Sequence, residues 1–152
     1  RALGNRRILA DPRIPGMRDY INKEIKLREE FRPFAPSVLV DDCKNYFHMD
    51  YEKSPYMIIV GKTKKEWRDK IPAVVHIDGS SRIQTVHPEI NPAYCSLINN
   101  FKNKTGIGVL LNTSLNKRGM PIVETPNDIL SFFVESKIDL LVINNYIVEK
   151  TP

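Results

Sequence analysis

The sequence contains few cysteines and no long apolar run. Cys43 and Cys95 are its two cysteines and have no Cys-x-x-Cys spacing, so neither a zinc-binding motif nor a disulfide framework is indicated. The longest apolar run, around residues 140–143, is far too short to cross a bilayer. No stretch resembles a signal peptide. These absences predict a cytoplasmic protein without membrane association.

Charge of one sign is not concentrated in any part of the chain. The sequence has 23 lysine and arginine residues against 18 aspartate and glutamate residues, a net charge of +5. Such an excess suits an anionic partner, whether a nucleotide, a phosphate-bearing metabolite or a nucleic acid. Basic residues stand beside acidic ones, as in residues 26–30 and 64–66. This pattern is typical of a solvated surface with a few placed charges, and a nucleic-acid-binding stripe is not favoured.

Internal repeats and low-complexity linkers are also absent. The chain has 152 residues, of which 41% are hydrophobic, and this predicts one domain over residues 1–152 with a real core. The chain begins at Arg1 without an initiating methionine, so we interpret it as a fragment of a longer protein.

Helical and strand patterns alternate along the chain and predict an α/β domain around a mixed β-sheet. Asn91 and Thr125 are expected to cap helices, and Trp67 to anchor a short exposed helix or a loop. Helices are predicted over residues 17–30, 41–47, 92–105 and 126–133; strands are predicted over 37–40, 54–60, 109–111 and 139–143, with a strand, turn and strand over 73–86.

Residues 109–116 are the most informative stretch for function. A short apolar strand is followed by polar residues 112–116, which we predict to form a loop. Small polar side chains at the end of a buried strand are where an open α/β sheet holds a ligand. The alternative is an ordinary turn in which Asn112, Thr113 and Ser114 bond only to their own backbone.

A second candidate region combines Lys26 with residues 31–36. Two prolines stiffen this segment and two aromatic residues anchor it, so Arg32 is presented from a rigid support. A fixed guanidinium suits bidentate binding of phosphate or carboxylate. The alternative is that Lys26 and Arg32 are surface cations paired with neighbouring acidic residues.

The histidines lack the spacing of a metal site. His76, His87 and His48 have no His-x-x-x-His or carboxylate pattern around them. We therefore expect them to be hydrogen-bonded structural residues, and no metal-ligating residue is predicted.

Several motifs together resemble the C-terminal domain of the O-carbamoyltransferases, the enzymes that carbamoylate nodulation factors, aminoglycosides and cephalosporins. The resemblance covers essentially the whole chain in the right order. It is carried by Arg-Ala-Leu-Gly-Asn-Arg at residues 1–6, Lys26 followed by Phe-Arg-Pro-Phe-Ala-Pro at 31–36, Ser-Pro-Tyr-Met at 54–57, His-Ile-Asp-Gly-Ser-Ser-Arg-Ile-Gln at 76–84 and Asn-Thr-Ser-Leu-Asn at 112–116.

The resemblance implies a YrdC-like domain, with a twisted mixed β-sheet flanked by helices and a basic cavity. It also implies that this domain binds carbamoyl phosphate and ATP, with Mg²⁺ on the nucleotide, and forms carbamoyl adenylate. A separate N-terminal domain of the Kae1-like, actin-related class then transfers the carbamoyl group to a hydroxyl acceptor. The resemblance leaves the oligomeric state open, a homodimer included.

The resemblance further implies roles for seven residues. Carried over by motif, the catalytic cations are Lys26, Arg32 and Arg82, and the substrate-binding or nucleotide-binding residues are Arg1, Asn112, Ser114 and Asn116. Fixed cations suit this chemistry, because adenylation spreads negative charge over phosphate oxygens. This sequence departs from the family pattern in having Arg7 where serine is usual, Gly108 where proline is usual and Leu115 where phenylalanine is usual.

Three other functions remain open from the sequence. A threonylcarbamoyl-adenylate synthase would use threonine and bicarbonate in a similar domain. A module that binds RNA or ribonucleotides would also suit a basic concave surface, although aromatic residues interleaved with a basic stripe are lacking. The third is a degenerate domain retained for folding or partner contact.

Overall fold

A computed structural model describes residues 4–150 and confirms the α/β fold class. The elements are, in chain order, β1 (Arg7–Ala10), α1 (Met17–Tyr20), a π-helical turn (Ile21–Ile25), β2 (Ala35–Leu39), α2 (Cys43–Tyr46), β3 (Phe47–His48), β4 (Ile59–Thr63), α3 (Lys65–Arg68), a 3₁₀ turn (Pro72–Val74), β5 (Ser80–Val86), α4 (Pro92–Thr105), β6 (Val109–Ser114), α5 (Pro126–Glu135), β7 (Leu140–Ile143) and β8 (Tyr146–Glu149). No helix within these residues has the length and apolar character needed to span a bilayer.

Six strands form one mixed sheet in the order β1-β6-β2-β5-β4-β3. β2 and β5 are parallel, and the other neighbouring pairs are antiparallel. β7 and β8 form a separate hairpin.

The two faces of the sheet differ in character. One face is apolar and packs on the π-helical turn and α5, with Ile8, Val38, Ile83 and Leu111 all buried. The other face packs on α4 through a smaller apolar cluster that contains Leu110. Polar and basic side chains occupy the remainder of this second face, so one side of the sheet stabilises the fold while the other presents charge.

The helix predicted over residues 17–30 ends earlier than expected. α1 is a single turn and continues as the π-helical turn, and Leu27 then has φ 50°. The main-chain N–H groups of Lys26 and Arg28 donate to the oxygens of Ile21 and Asn22, at 2.8 and 2.9 Å. These bonds skip more residues than an α-helix allows, and the chain leaves the helix well before Pro33.

Four predictions about the extent of strands are also wrong in detail. Asn112, Thr113 and Ser114 belong to β6 and not to a loop, because β1 pairs along their whole length. The stretch 73–78 is not a strand but a 3₁₀ turn followed by a loop, since Pro72 starts a helical turn there. The segment 54–60 becomes a strand only from Ile59. The predicted buried strand at 139–143 is a hairpin strand outside the main sheet and is largely exposed.

The predictions that rest on local caps are confirmed. Asn91 Oδ1 accepts from the N–H of Tyr94, and Gly106 ends α4 in the left-handed conformation. Thr125 and Asp128 form a reciprocal capping box at the start of α5. Trp67 anchors the short helix α3, and its Nε1 donates 3.0 Å to the main-chain oxygen of Asn45.

Candidate functional site

Four strands meet at one end of the sheet and bring the candidate residues together. β1, β2 and β5 begin at this end and β6 finishes there, as their antiparallel and parallel pairings require. Arg7 lies directly opposite Ser114 in the β1–β6 ladder. Side chains that lie opposite each other in a ladder share a face, so both lie on the face that packs on α4. This end of the sheet is the candidate site.

Lys26 is the most enclosed cation of the site. The residue is 2% exposed, and its Nζ donates to the end of β6. It lies 2.7 Å from the main-chain oxygen of Ser114 and 2.6 Å from that of Asn116. It also lies 2.7 Å from Asn116 Oδ1 and 3.2 Å from Ser114 Oγ. Lys26 thereby ties the end of the π-helical turn to the end of β6.

The surroundings of Lys26 oppose its charge more than they support it. Burial, together with the nearby guanidinium groups of Arg28, Arg32 and Arg7, lowers the pKa of Lys26 from 10.5 to about 7. Four oxygens around Nζ favour the ammonium form, but they carry no full negative charge. An added anion would relieve this repulsion, and the site therefore favours anions.

Arg28 and Arg32 bring two guanidinium groups to the same place. Arg28 Nε donates 2.7 Å to Asn22 Oδ1, and its guanidinium lies over the Phe34 ring at 4.8 Å. Arg32 is half exposed, and its Nη1 lies 3.7 Å from Glu29 Oε2. Burial and the charge of Arg32 lower the pKa of Arg28 to about 10. Arg28 was not predicted as a site residue, and its position next to predicted Lys26 and Arg32 is the signal that could have found it.

Arg82 and Arg7 stand on the same face of the sheet, on β5 and β1. Gln84, two residues after Arg82, pairs with Ser37 on β2, which pairs with Leu110 on the α4 side. Burial lowers the pKa of Arg7, and the charge of Arg82 lowers it as well. The charge of Arg82 also lowers the pKa of Arg28. The structure thus brings Lys26, Arg32 and Arg82 into one electrostatic cluster, and Arg7 and Arg28 join them.

Asn112 lies in the middle of a buried polar group that crosses three strands. Its Nδ2 donates 2.7 Å to Ser37 Oγ and also to Gln84 Oε1, while Ser37 Oγ donates 2.8 Å to Gln84 Oε1. Asn112 is 2% exposed, and its Oδ1 is buried without a hydrogen-bond partner among the described residues. In this arrangement Asn112 joins the three strands beneath the site.

Ser114 and Asn116 use their side chains on each other and on Lys26. Ser114 Oγ donates 2.6 Å to Asn116 Oδ1, and Asn116 Nδ2 donates 2.7 Å to the main-chain oxygen of Met120. The structure therefore brings Lys26, Ser114 and Asn116 into contact with one another, as predicted. Their contacts with a substrate stay a prediction, as do the roles of Arg32, Arg82 and Asn112. Arg1, the seventh predicted residue, lies outside the described residues 4–150.

A cavity of about 420 Å³ lies between the segment 31–33 and the turn that precedes β5. Phe31, Pro33 and Ile77 line its apolar part and His76 its polar part. His76 Nδ1 lies 3.0 Å from Ser80 Oγ, and His87 Nε2 lies 2.9 Å from Thr85 Oγ1. Both histidines make a hydrogen bond, as predicted, but Nε2 of His76 is buried without a hydrogen-bond partner among the described residues.

Within residues 4–150, no group of three or more histidine, cysteine, aspartate or glutamate side chains is placed to hold a metal ion. The site is built from cations and neutral amides instead. Glu29, the carboxylate that lies near Arg32, also contacts Arg118, whose Nη1 lies 2.9 Å from Glu29 Oε1. The site can accordingly bind oxyanions and stabilise negative charge that develops on phosphate oxygens.

Comparison with known proteins places this geometry in a family context. Residues 1–150 match the family described as carbamoyltransferase C-terminus. A protein of Synechocystis described as uncharacterised is 44% identical over 171 residues, which is 99% of this chain and 28% of that protein. Nodulation protein NolO of Bradyrhizobium diazoefficiens is 42% identical over 154 residues, which is 100% of this chain and 28% of that protein.

A further relative is nodulation protein U of Rhizobium tropici. It is 47% identical over 119 residues, which is 78% of this chain and 20% of that protein. The chain therefore spans about a quarter of the length of these relatives.

Proposed function

The chain belongs to the carbamoyltransferase C-terminus family, and from this membership we propose that it binds ATP and carbamoyl phosphate and forms carbamoyl adenylate. The observation that carries the proposal is the convergence of Lys26, Arg28, Arg32, Arg82 and Arg7, in which neighbouring guanidinium charges lower the pKa values of Lys26, Arg28 and Arg7. Such mutual repulsion destabilises the empty site and is relieved by polyphosphate anions.

The proposed reaction has two balanced steps. Water attacks the carbonyl carbon of carbamoyl phosphate, the bond from that carbon to the bridging oxygen breaks, and carbamate, inorganic phosphate and one proton are released. A carbamate oxygen then attacks the α-phosphorus of ATP, the bond from that phosphorus to the bridging oxygen breaks, and pyrophosphate leaves. Negative charge moves onto phosphate oxygens in both steps, and cations held in place before reaction stabilise that charge.

Each cation of the site has a distinct role in this proposal. Lys26 is a buried point charge held by the main-chain oxygens of Ser114, at the end of β6, and of Asn116, just beyond it, and it suits the most enclosed phosphate group. Arg32 and Arg82 are more exposed, and their guanidinium groups suit bidentate contacts with the outer phosphates. Mg²⁺ is brought by ATP on its own phosphates, and no residue of this chain is assigned to it.

Transfer of the carbamoyl group is proposed to occur elsewhere in the complete protein. Relatives about four times longer than this chain leave room for a further domain. We assign the transfer to a hydroxyl acceptor to a Kae1-like N-terminal domain of the same polypeptide. The reaction is expected in the cytoplasm, because ATP and carbamoyl phosphate are made there.

The test is exchange of labelled pyrophosphate into ATP by the 152-residue chain. We expect exchange that requires carbamoyl phosphate and that falls about a hundredfold or more in Lys26→Ala and Arg32→Ala. Lys65→Ala is the matched control, because Lys65 is an exposed lysine on α3. It should retain full exchange.

Rival substrates separate the alternatives in the same assay. Exchange supported by threonine and bicarbonate but not by carbamoyl phosphate would assign the chain to threonylcarbamoyl-adenylate synthesis instead. Absence of exchange together with tight binding of single-stranded RNA would favour the RNA-binding module. Nucleotide binding that is unaltered in Lys26→Ala and Arg32→Ala would contradict the site assignment.

A further inference from the structure

The segment that carries Lys26, Arg28 and Arg32 has no regular secondary structure between the π-helical turn and β2. Its three cations repel one another, since Arg28 and Arg32 lower the pKa of Lys26 and Arg32 lowers that of Arg28. Backbone without a helical or strand ladder must be fixed by other hydrogen bonds if it is to hold charges at set distances. Asn22 provides most of these bonds between Arg28 and Arg32.

Asn22 is completely buried beneath this segment, at 0% exposure. Its Nδ2 donates 3.0 Å to the main-chain oxygen of Glu30 and 2.9 Å to that of Arg32. Its Oδ1 accepts from Arg28 Nε at 2.7 Å. Its main-chain oxygen accepts from the N–H of Arg28 at 2.9 Å. Both hydrogens on Nδ2 of Asn22, and both its side-chain and main-chain oxygens, are thus bonded to residues 28–32.

The π-helical turn orients the side chain of Asn22 towards residues 28–32. In this turn Ile21 and Ile25 face the apolar core, while Asn22 is buried beside them. Single π-helical turns are rare and are found at functional sites. Leu27, directly after Lys26, has φ 50°, a left-handed conformation that is unfavourable for a leucine. A strained turn persists only where surrounding bonds hold it. Asn22 supplies such bonds on the side of Arg28, and the N–H of Arg118 supplies another, 3.0 Å from the main-chain oxygen of Lys26.

We propose that Asn22 is a positioning residue, which fixes Arg28 and Arg32 relative to Lys26 so that the three cations converge on one polyphosphate. The inference rests on the proposed function for its choice of anion. Asn22 itself touches no substrate in this proposal. It acts through the main-chain oxygens of Glu30 and Arg32 and through the guanidinium of Arg28.

The test measures binding of inorganic pyrophosphate to the 152-residue chain by calorimetry. Asn22→Ala removes the three side-chain bonds, and we expect it to weaken pyrophosphate binding about tenfold or more, because small displacements of charged groups are costly for oriented anion contacts. Ile21→Val is the matched control. Ile21 lies in the same turn at 1% exposure, and its side chain belongs to the apolar core. This variant keeps the main chain of the turn, so it should lose stability and keep binding within about twofold.

A second variant covers the case in which Asn22→Ala does not fold. Asn22→Asp has the same shape and keeps an acceptor for Arg28, but it lacks both N–H donors to Glu30 and Arg32. We expect weaker pyrophosphate binding and faster hydrogen exchange of the amides in residues 28–33. Ile21→Val should leave exchange in those residues unchanged.

The outcomes separate this inference from the proposed function. If Asn22→Ala and Asn22→Asp bind pyrophosphate as tightly as Ile21→Val, Asn22 has only a structural role and the inference is wrong. If the unaltered chain binds pyrophosphate and the Asn22 variants do not, the inference holds even when carbamoyl-phosphate-dependent exchange is absent. Absence of carbamoyl-phosphate-dependent exchange would then reject carbamoyl adenylate formation but not the positioning role of Asn22. An unaltered chain that binds no pyrophosphate would overturn both.

Discussion

Lys26 Nζ lies 2.7 Å from the main-chain oxygen of Ser114, a residue 88 positions further along the chain. The contact is a charge-assisted hydrogen bond between the end of a π-helical turn and the end of a central strand. Because Lys26 is also surrounded by guanidinium groups, its protonation state links anion binding, stability and pH.

Anion binding is expected to take up a proton. The pKa of Lys26 is lowered to about 7 in the free protein, and a bound pyrophosphate raises it again by favouring the charged form. At pH values above about 7 the site therefore binds a proton together with the anion, and affinity falls as the pH rises. Calorimetry in two buffers of different ionisation enthalpy measures this uptake.

Lys26→Arg provides the baseline for that measurement. An arginine stays charged throughout this pH range, so the proton uptake that remains in this variant belongs to pyrophosphate itself. Equal proton uptake by the unaltered chain and by Lys26→Arg would contradict the lowered pKa of Lys26.

The free energy of unfolding should rise with pH just above neutrality because of the lowered pKa of Lys26. Folded Lys26 loses its proton near pH 7, whereas the unfolded chain holds that proton up to about 10.5. Between these values the unfolded state binds more protons, so the free energy of unfolding increases with pH. Burial raises the pKa of Cys43 from 9.0 to about 11, which opposes the trend above pH 9, so the window to examine is pH 7 to 9.

Urea unfolding at several pH values measures this effect. Lys26→Met cannot titrate and should show a smaller rise in the free energy of unfolding across the window. A rise of the same size in both proteins would mean that other groups cause it.

Asn116→Asp should move the pH dependence of anion binding upward. Asn116 Oδ1 lies 2.7 Å from Lys26 Nζ, and a carboxylate at that distance favours the ammonium form. We expect the pH midpoint of pyrophosphate binding to rise by about one unit or more, with weaker binding at low pH because the new charge repels the anion. The binding profile between pH 6 and 10 gives the midpoint. Asn116→Ser, which adds no charge, is the control and should produce no upward shift.

Arg7→Ser tests the cation that the family pattern does not predict. Arg7 lowers the pKa of Lys26 and is itself affected by Arg82. Removing its charge should weaken pyrophosphate binding several-fold and raise the pH midpoint, since Lys26 then holds its proton more tightly. Binding should also depend less steeply on salt, because one fewer cation faces the anion. An unchanged midpoint would place Arg7 outside the site.

Elements governed by local chemistry were predictable from the sequence. Asn91 with Gly106, and Thr125 with Asp128, fix the ends of α4 and α5 through bonds within a few residues. Such signals lie within one short window of sequence, and the structure confirms them.

Features that depend on distant partners were predicted less well. Asn112 to Ser114 look like a loop because their side chains are polar, yet pairing with β1, more than a hundred residues earlier, makes them a strand. The grouping of Lys26 with Ser114 and Asn116 came from a family resemblance and not from spacing. Asn22 could not be identified from the sequence, because an asparagine beside an apolar helical stripe is expected to lie on the surface. The π-helical turn buries it instead.

The position of β6 between β1 and β2 also determines when the site can form during synthesis. β1 and Lys26 emerge early, but the strand they contact comes 88 residues after Lys26. At typical translation rates this interval lasts about 4 to 18 s. Throughout it the edge of β1 has no ladder partner from β6 and Lys26 lacks the oxygens that hold it. The nascent chain therefore completes its anion site only after most of the domain has been made.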